Sequence, residues 1–243
     1  MRRWLLDQSR EQTSPVQCVA FDAVGTLIYP EPSVSKVYWN AGRQFGSQQT
    51  LDQVRARFQQ TFQDLAAGPR GDYSTSEIEE KERWRQIVRQ VLFDVQDHAG
   101  CFEMLHAHFA TAAAWRTFPD VEETLRCLEA LGMKVLVASN FDERLHPICD
   151  TLPDLRPLRD RVISASIGWH KPSPKFYRHL VEIAGCPAEQ ILMVGDDLEN
   201  DVIAAQANGL QAVWINREED DSTSAIRDLR DLLSPSWNLV DIR

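Results

Sequence analysis

The sequence predicts an α/β fold in which a Rossmann-like parallel sheet carries an inserted all-helical cap domain. After residue 119, short apolar strands alternate with helices, as they do where right-handed crossovers build a parallel sheet. Residues 16–21 form a near-continuous apolar run, which is typical of a strand buried on both faces. From Ser33 to about Trp115, by contrast, no segment has the pattern of a strand.

The insert contains four segments in which apolar residues recur with helical periodicity. These segments span residues 33–47, 51–67, 77–95 and 100–114. Two pairs, Thr50 with Gln53 and Ser74 with Glu77, have the spacing of a capping box at a helix start. We expect the aromatic side chains of this region to form the core of a helical bundle. They are Tyr38, Trp39, Phe58, Phe62, Trp84 and Phe93.

The alternating region predicts the rest of the sheet and its helices. Strands are expected at residues 134–138, 162–165, 191–194 and 212–215. Helices are expected at residues 121–131, from 143 onward, and at 174–184, 199–208 and 225–233. The chain therefore divides into an N-terminal leader, a Rossmann-like core and a helical cap. The leader spans residues 1–15, the core residues 16–30 and 116–243, and the cap residues 31–115.

Composition and charge exclude several classes of partner. A chain of 243 residues suits one α/β core with a smaller insert. Its net charge of −10 leaves no broad basic face for nucleic acid phosphates and repels anionic membrane surfaces. No segment approaches the roughly 20 apolar residues that a membrane helix requires. We therefore expect neither a nucleic acid nor a membrane as a partner.

The cysteines indicate a reducing compartment. There are five of them, scattered along the chain, and none forms a C-x-x-C pair. This pattern argues against a disulfide framework and against a zinc site. We expect most of them to be small core side chains, and we expect the protein to be cytoplasmic.

Polar residues follow three of the predicted strands at the point where each strand ends. Asp22, Ser139 and Asp196 occupy these positions. In open parallel sheets, ligands bind beyond the carboxyl ends of the strands, so these side chains should converge on one edge. Lys171 precedes Pro172, which disfavours a helix there and places the lysine on a loop able to reach this edge. Taken singly, an aspartate at a strand end is more typical of a helix cap, and a loop lysine is often a surface residue.

Four motifs resemble, in order, those of the HAD (haloacid dehalogenase-like) hydrolase superfamily. They are DAVGTL from Asp22, Ser139-Asn140, Lys171-Pro172 and GDDLEND from Gly195. The helical insert between the first two resembles the cap of subfamily IA. The stretches VLVASNFDERL, GWHKPSPKFY and VGDDLENDV are most similar to the rhythmically-expressed-gene-two-like branch. The resemblance covers essentially the whole chain after the leader.

The resemblance implies phosphoryl transfer assisted by Mg²⁺. Asp22 would attack phosphorus and form an aspartyl-phosphate, which splits one difficult step into two. Asp22, Asp196 and the backbone carbonyl of Val24 would hold the cation, and Asp201 would be an outer ligand or would orient the water molecules on the metal. Asp197 could substitute for Asp201 in either role, or it could be an exposed acid at a helix start. Without a cation, these carboxylates would repel one another and their pKa values would rise.

The same resemblance assigns the phosphate-binding residues. Ser139 and the backbone N–H of Asn140 would hold a phosphoryl oxygen, and Lys171 would balance the charge on the nucleophile and the phosphate. We expect the substrate to be a small phosphorylated metabolite. His170 lies beside Lys171 in the sequence, and we expect it to have a structural or surface role rather than an acid–base one.

One position departs from the pattern of the superfamily's phosphatases. They carry a second aspartate two residues after the nucleophile, where it protonates the leaving oxygen and then activates water. In this chain that position is Val24, which can do neither. General acid–base help is worth roughly 10²–10⁴-fold in rate. Glu31 and Lys36, where the chain enters the cap, are possible replacements, though both are more typical of structural positions.

Three interpretations remain open at this point. In the first, the protein is a weakened magnesium-dependent phosphatase that favours leaving groups needing little protonation, such as acyl or aryl phosphates. In the second, it is a catalytically inactive pseudoenzyme whose cap or pocket binds a ligand or a protein partner. In the third, it is a 2-haloacid dehalogenase, a chemistry known in the superfamily with a non-acidic residue at this position. The acidic cluster argues against the third, because attack on carbon needs no magnesium.

Overall fold

A computed structural model describes residues 15–66, 73–217 and 225–234. Its strands, in chain order, are β1 (Cys18–Phe21), β2 (Ile28–Pro30), β3 (Trp115–Thr117), β4 (Lys134–Ser139), β5 (Asp160–Ile163), β6 (Ile191–Gly195) and β7 (Gln211–Trp214). Five of them form a parallel sheet in the order β5–β4–β1–β6–β7. The leader predicted for residues 1–15 lies outside the described residues except for its last position.

Helices connect the strands of this sheet and build the cap. In chain order they are α1 (Val34–Gln44), α2 (Leu51–Ala66), α3 (Glu77–Val91), α4 (His98–Phe109), α5 (Val121–Ala130), α6 (Leu145–Thr151), α7 (Ser164–Ile167), α8 (Pro174–Ala184) and α9 (Ala204–Ala207). A π-helix (Leu198–Ile203) precedes α9, and short 3₁₀ turns lie at Ala112–Ala114, Pro153–Leu155, Ala188–Gln190 and Leu229–Leu233. The predicted Rossmann-like core with an inserted helical cap is confirmed. Among the described residues, no helix is both long and apolar enough to cross a membrane.

The central strand β1 is apolar throughout because both faces of the sheet are covered. Phe21 packs in one apolar layer with Leu125 of α5, and Ala20 packs in the opposite layer with Phe176 of α8. Alternate side chains of the strand therefore enter different layers, and all four of its residues are buried.

The strand register brings the predicted site residues to one edge. Phe21 at the end of β1 lies level with Val137 of β4 and Val194 of β6. Asp22 follows Phe21 directly, and its backbone N–H donates to the carbonyl of Val194 at 2.9 Å. The ends of three neighbouring strands thus lie side by side, as a parallel sheet requires.

The cap helices α1–α4 follow one another between β2 and β3, and they have an apolar core of their own. No sequence pattern indicated β2 and β3, which pair antiparallel where the chain enters and leaves the cap. Each has only three residues, too few for a periodic pattern. Trp115, where the sequence predicts the end of the helical region, is the first residue of β3.

Two expectations about the cap are wrong in part. Phe62 and Phe93 are 43% and 54% exposed, so these rings are not core residues. The capping box at Thr50 and Gln53 is confirmed, because each residue's backbone N–H donates to the other's side-chain oxygen. The box predicted at Ser74 is wrong. The side chain of Ser76 caps α3 instead, accepting from the backbone N–H of Glu79.

The end of the described chain also differs from its prediction. Residues 225–233 were expected to form a helix, but Ile226 pairs as a β-bridge with Ile215. Only the 3₁₀ turn Leu229–Leu233 follows it. The backbone N–H of Leu229 donates to the buried carboxylate of Asp120, and this tertiary bond holds the segment out of a regular helix.

The cap contacts the core close to the predicted site. Ser74 forms an antiparallel β-bridge with Trp169, and the backbone N–H of His170 donates to the carbonyl of Tyr73 at 2.8 Å. The imidazole of His170 lies 2.7 Å from the carboxylate of Glu80 on α3. His170 therefore has the structural role expected of it, as a link between core and cap.

Candidate active site

Lys171 lies at the centre of the predicted site. Its ammonium group donates to Asp22 at 2.8 Å, to Asp201 at 2.6 Å and to the carbonyl of Ala138 at 2.9 Å. The side chain is only 2% exposed, so the surface-lysine alternative is wrong. Burial by itself would lower the pKa of Lys171, but the carboxylates of Asp201 and Asp22 raise it. The lysine is therefore a fixed positive charge between two carboxylates.

Asn140 fixes the backbone of the lysine loop. Its side-chain amide donates to the carbonyl of Lys171 at 2.9 Å, and its side-chain oxygen accepts the Lys171 N–H at 2.7 Å. Ser139 is the last residue of β4 and directly precedes Asn140 in the sequence. Its side chain is buried. The sequence predicted a role for the backbone of Asn140, whereas its side chain has this second role as a clamp on Lys171.

Three carboxylates meet at this edge of the sheet. Asp22, Asp196 and Asp201 each present an oxygen within 4.8 Å of the others. Desolvation and repulsion from Asp22 raise the pKa of Asp196 to about 7. Burial raises the pKa of Asp201 as well, although Lys171 opposes the rise. Fully ionised, the three carboxylates exceed the one ammonium of Lys171 by two negative charges, the excess that one divalent cation balances.

Two glycines leave the space that these carboxylates occupy. A Cβ atom added at Gly25 would lie 2.3 Å from an oxygen of Asp196, and Gly25 also has a φ of +90°. A Cβ atom at Gly195 would lie 2.1 Å from an oxygen of Asp201. Both positions require glycine because the carboxylates pack directly against the backbone.

Asp197 and Asp201 have different surroundings although both lie in the last motif. Asp197 caps the π-helix: one carboxylate oxygen accepts from the N–H groups of Glu199 and Asn200, each at 3.0 Å. Asp201 lies on the π-helix and points back, accepting from Lys171 and from the N–H of Asp197 at 3.1 Å. The structure therefore groups Asp201 with the cluster and uses Asp197 as a helix cap.

A supporting chain of contacts was not expected from the sequence. The Thr26 hydroxyl donates to Asp196 at 3.2 Å. The carbonyl of Thr26 accepts from Arg217, whose guanidinium also pairs with buried Asp120 at 2.9 and 3.1 Å. Thr26 lies inside the quoted DAVGTL motif, which could have drawn attention to it. Arg217 and Asp120 are 97 positions apart, and no sequence pattern links them.

A cavity lies between the cap and the sheet edge, next to these residues. Its volume is about 230 Å³, and it reaches the core at Val24 and Asn140. Half of its sixteen lining residues are Phe, Tyr or Trp. The aromatic lining residues are Tyr38, Phe58, Phe62, Trp84, Phe102, Phe109, Trp115 and Phe141. We call this cavity the aromatic pocket. The aromatic residues of the cap thus line a cavity as well as packing together.

The aromatic pocket has few polar groups. Arg144 contributes to its wall, but the guanidinium forms a bidentate pair with Asp142 at 2.7 and 2.6 Å. Burial and the charge of Arg144 lower the pKa of His106, another lining residue, below its ordinary value of 6.5. The arginine is thus neutralised by its partner, and the histidine is neutral at pH 7.

The structure supplies no replacement for the missing acid–base aspartate at the positions considered from sequence. Val24 is half-buried and lines the aromatic pocket. Lys36 lies over the ring of Trp39, 4.4 Å from its centroid, and Glu31 is exposed. Neither Glu31 nor Lys36 is among the described residues that line the pocket. All five cysteines have free thiols, and none belongs to the carboxylate cluster.

The sequence profile of the haloacid dehalogenase-like hydrolases matches residues 16–209 of the chain. A haloacid dehalogenase-like hydrolase domain-containing protein 3 of Danio rerio is 27% identical over 214 residues, covering 86% of this chain and 88% of its own. A phosphoserine phosphatase of Thermus thermophilus is 23% identical, covering 89% of this chain and 98% of its own.

Solved structures of several activities share the fold. A HAD phosphatase from Thermococcus onnurineus has a TM-score of 0.63 at 25% identity, covering 90% of this chain and 98% of its own. An L-2-haloacid dehalogenase has a TM-score of 0.69 at 21% identity, covering 93% of this chain and 99% of its own. The HAD-hydrolase YfnB of Bacillus subtilis, bound to magnesium, has a TM-score of 0.74 at 17% identity, covering 90% of this chain and 97% of its own. The last two likenesses concern the fold alone.

Proposed function

The chain belongs to the haloacid dehalogenase-like hydrolase family, and we propose that it is a magnesium-dependent phosphatase acting through an aspartyl-phosphate on Asp22. The observation that carries the proposal is the position of Lys171 between Asp22 and Asp201, beside Asp196. A buried cation next to a nucleophilic carboxylate is what phosphoryl transfer needs, because negative charge spreads over the transferred group. We propose a small phosphorylated substrate.

In this mechanism Lys171 holds the Asp22 carboxylate in one orientation and balances the charge of the incoming phosphate. Asn140 keeps the lysine loop in place through its side chain, while its backbone N–H and Ser139 would bind a phosphoryl oxygen. An oxygen of Asp22 attacks phosphorus, and water later cleaves the aspartyl-phosphate.

The residues present fit a magnesium ion. Asp22 and Asp196 offer carboxylate oxygens of the kind that Mg²⁺ prefers. We propose the Val24 carbonyl as a third ligand. Both oxygens of Asp201 already accept from Lys171 and the Asp197 backbone, so an outer role suits it better. When bound, the ion would neutralise negative charge on the phosphate and the carboxylates.

Val24 limits this chemistry at two steps, the departure of the leaving group and the attack of water. Position 24 has no carboxyl group to protonate the leaving oxygen or to activate water, so the expected loss is roughly 10²–10⁴-fold. Leaving groups that depart as stable anions avoid the first half of this problem. The phosphatase names of the Thermus and Thermococcus relatives support hydrolysis of a phosphate compound, without indicating which one.

Two observations favour a second candidate, hydrolysis of a carbon–halogen bond. They are the apolar residue at position 24 and the apolar lining of the pocket. The carboxylate cluster opposes it, because attack on carbon needs no cation. The pairing of Arg144 with Asp142 also opposes it, because a 2-haloacid has a carboxylate to bind. Halide release from 2-haloacids without added metal would establish this candidate.

The test is phosphate release from an aryl phosphate and an acyl phosphate, with and without magnesium. The panel is the native protein, Asp22→Asn and Val24→Asp. We expect slow magnesium-dependent turnover by the native protein, none by Asp22→Asn, and a gain of about 10²-fold in Val24→Asp. Silence of both the native protein and Val24→Asp would favour a pseudoenzyme that binds a ligand or a protein partner.

A further inference from the structure

The aromatic pocket adjoins the proposed reaction centre and has the size of a small ring system. It meets the core at Val24, two residues after the nucleophile, and at Asn140, which clamps Lys171. Its volume is about 230 Å³. A dry apolar cavity of about 150 Å³ already binds benzene, so one or two fused rings fit here.

The arrangement of the wall suits a flat apolar group. The rings of Phe58 and Phe62 stack at 5.9 Å with an interplanar angle of 15°. Trp84 lies 6.4 Å from Phe62, and Tyr38 meets Phe58 edge-on at 5.2 Å. Phe62 lines the pocket and is 43% exposed. Aromatic walls of this kind favour an aromatic guest through stacked and edge contacts.

The same wall disfavours a second anionic group on the substrate. Among the described lining residues, Arg144 is the one arginine or lysine, and Asp142 neutralises it. His106 has its pKa lowered and adds no charge at pH 7. A carboxylate placed in this pocket would lose its hydration without gaining a free cation as partner. Small polar substrates that carry a carboxylate beside the phosphate are therefore poor candidates.

Val24 points to the same kind of leaving group. A phenol has a pKa near 10, whereas water, the nearest reference for an alkyl alcohol, has a pKa of about 15.7. A phenolate therefore departs without the proton that Val24 cannot give. Three features therefore favour an aryl phosphate with an uncharged ring: the shape of the pocket, its lack of an unpaired charge, and the valine at position 24.

We infer that the substrate is the phosphate monoester of an uncharged phenol-type alcohol, whose ring occupies the aromatic pocket while its phosphate lies beside Asp22 and Lys171. This inference rests on the proposed function. An oxygen of Asp22 bonds to phosphorus, and the bond from phosphorus to the aryl oxygen breaks with its electron pair on that oxygen. The phenolate leaves as an anion. A water then attacks phosphorus and releases phosphate and the Asp22 carboxylate. One proton of this water stays on the phosphate, and the other neutralises the phenolate.

The test compares 2-naphthyl phosphate, acetyl phosphate and phosphoglycolate as substrates with magnesium present. Acetyl phosphate needs no pocket, since it has no ring and a good leaving group. We expect kcat/KM for 2-naphthyl phosphate to exceed that for phosphoglycolate at least about 100-fold, as a pocket without a free cation rejects the carboxylate. Equal kcat/KM values would overturn the inference while leaving the proposed function intact. No turnover of any of the three would overturn both.

Two variants locate the effect in the pocket. Val34 is a partly buried residue of the pocket wall, and Val34→Trp should fill the cavity. Phe62→Ala removes a partly exposed ring from the same wall. We expect the first to raise KM for 2-naphthyl phosphate about 10-fold or more and the second about 3- to 10-fold. Turnover of acetyl phosphate should fall by a smaller factor in both variants, because acetyl phosphate has no ring to place in the pocket. The matched controls are Ile183→Trp and Phe93→Ala, which alter exposed residues outside the pocket lining.

Binding without chemistry separates the pocket from the reaction. Calorimetry with 2-naphthol and Asp22→Asn should show binding that Asp22→Asn/Val34→Trp loses and Asp22→Asn/Ile183→Trp retains. Absence of this binding, or binding unchanged by Val34→Trp, would overturn the assignment of the ring to this pocket. The Phe62→Ala result keeps the question decidable if the larger tryptophan disturbs the fold.

Discussion

The ammonium group of Lys171 donates to Asp201 at 2.6 Å, and the two side chains are only 2% and 1% exposed. A buried pair of this kind is costly to break from one side, because the remaining charge stays buried without its partner. Asp201 thereby orients Lys171 toward Asp22, which accepts from the same ammonium group. Through this pair, the last motif positions the ammonium group that contacts Asp22, although the motif is distant from Asp22 in the sequence.

Asp201→Asn should lower both stability and activity. We expect a loss of up to about 3 kcal/mol in the free energy of unfolding, below the full cost of an orphaned buried charge because Asp22 still pairs with Lys171. Turnover of an aryl phosphate should fall about 10- to 100-fold. Asp197→Asn is the matched control, since asparagine also caps a helix. Equal losses in the two variants would contradict the role given to Asp201.

The metal-free protein should become less stable as the pH rises from about 4 to about 7. The pKa of Asp196 is raised from 3.8 to about 7 in the folded protein. In that window the native state holds a proton that the unfolded state has released, so stability falls with increasing pH. Melting curves in a chelator at several pH values measure the slope. Magnesium should stabilise the protein more at pH 8 than at pH 5. A flat profile, or one unchanged in Asp196→Asn, would contradict the prediction.

Gly195→Ala should disturb the site through a steric clash with Asp201, because Gly195 does not have the left-handed backbone conformation that favours glycine. The added Cβ would lie 2.1 Å from an Asp201 oxygen, so the carboxylate must move away from Lys171. We expect turnover to fall at least about 10-fold, the scale of losing an orienting partner. The crystal structure of the variant should show a longer distance from Asp201 to Lys171. An unchanged distance with full activity would refute this account of the glycine.

Asn140→Asp should impair the lysine loop although the shape of the side chain hardly changes. The new carboxylate cannot donate to the Lys171 carbonyl, which now accepts at 2.9 Å, and it would repel that oxygen. We expect kcat/KM for an aryl phosphate to fall about 10-fold or more. Asn40→Asp, on the exposed face of α1, makes the same change as a control. Parallel behaviour of the two variants would argue against the clamp.

Glu80→Gln should weaken the contact between cap and core. Glu80 lies 2.7 Å from His170, and both side chains are largely buried, at 9% and 15% exposure. We expect a loss of about 1.5–3 kcal/mol in the free energy of unfolding, the usual range for a hydrogen bond to a charged group. Glu82→Gln, which breaks only surface ion pairs on the same helix, should cost less than about 1 kcal/mol. Thermal unfolding of both variants provides the comparison.

Much of the site was predictable because the motifs follow strands. A parallel sheet brings the ends of β1, β4 and β6 together, and this alone predicts that Asp22, Ser139 and Asp196 converge. The proline after Lys171 likewise predicts a loop. The aromatic pocket was not predictable, since helical spacing groups the rings on a face without showing that Phe62 is exposed and Tyr38 buried.

Features that depend on distant contacts escaped prediction for a physical reason. Ser74 has the spacing of a helix cap with Glu77, but its pairing with Trp169 takes it out of that role. Ser76, with the same spacing to Glu79, is the cap instead. A tertiary contact thus decides which of two serines with the same spacing to a glutamate caps α3.

The most direct test of the central claim is to trap the phosphorylated protein. The native protein is mixed with 2-naphthyl phosphate and magnesium, quenched in acid, and digested for mass spectrometry. We predict one added phosphoryl group on Asp22, which accumulates because Val24 cannot activate the water that removes it and which declines in Val24→Asp. An unmodified Asp22, or the same modification elsewhere in Asp22→Asn, would contradict the account.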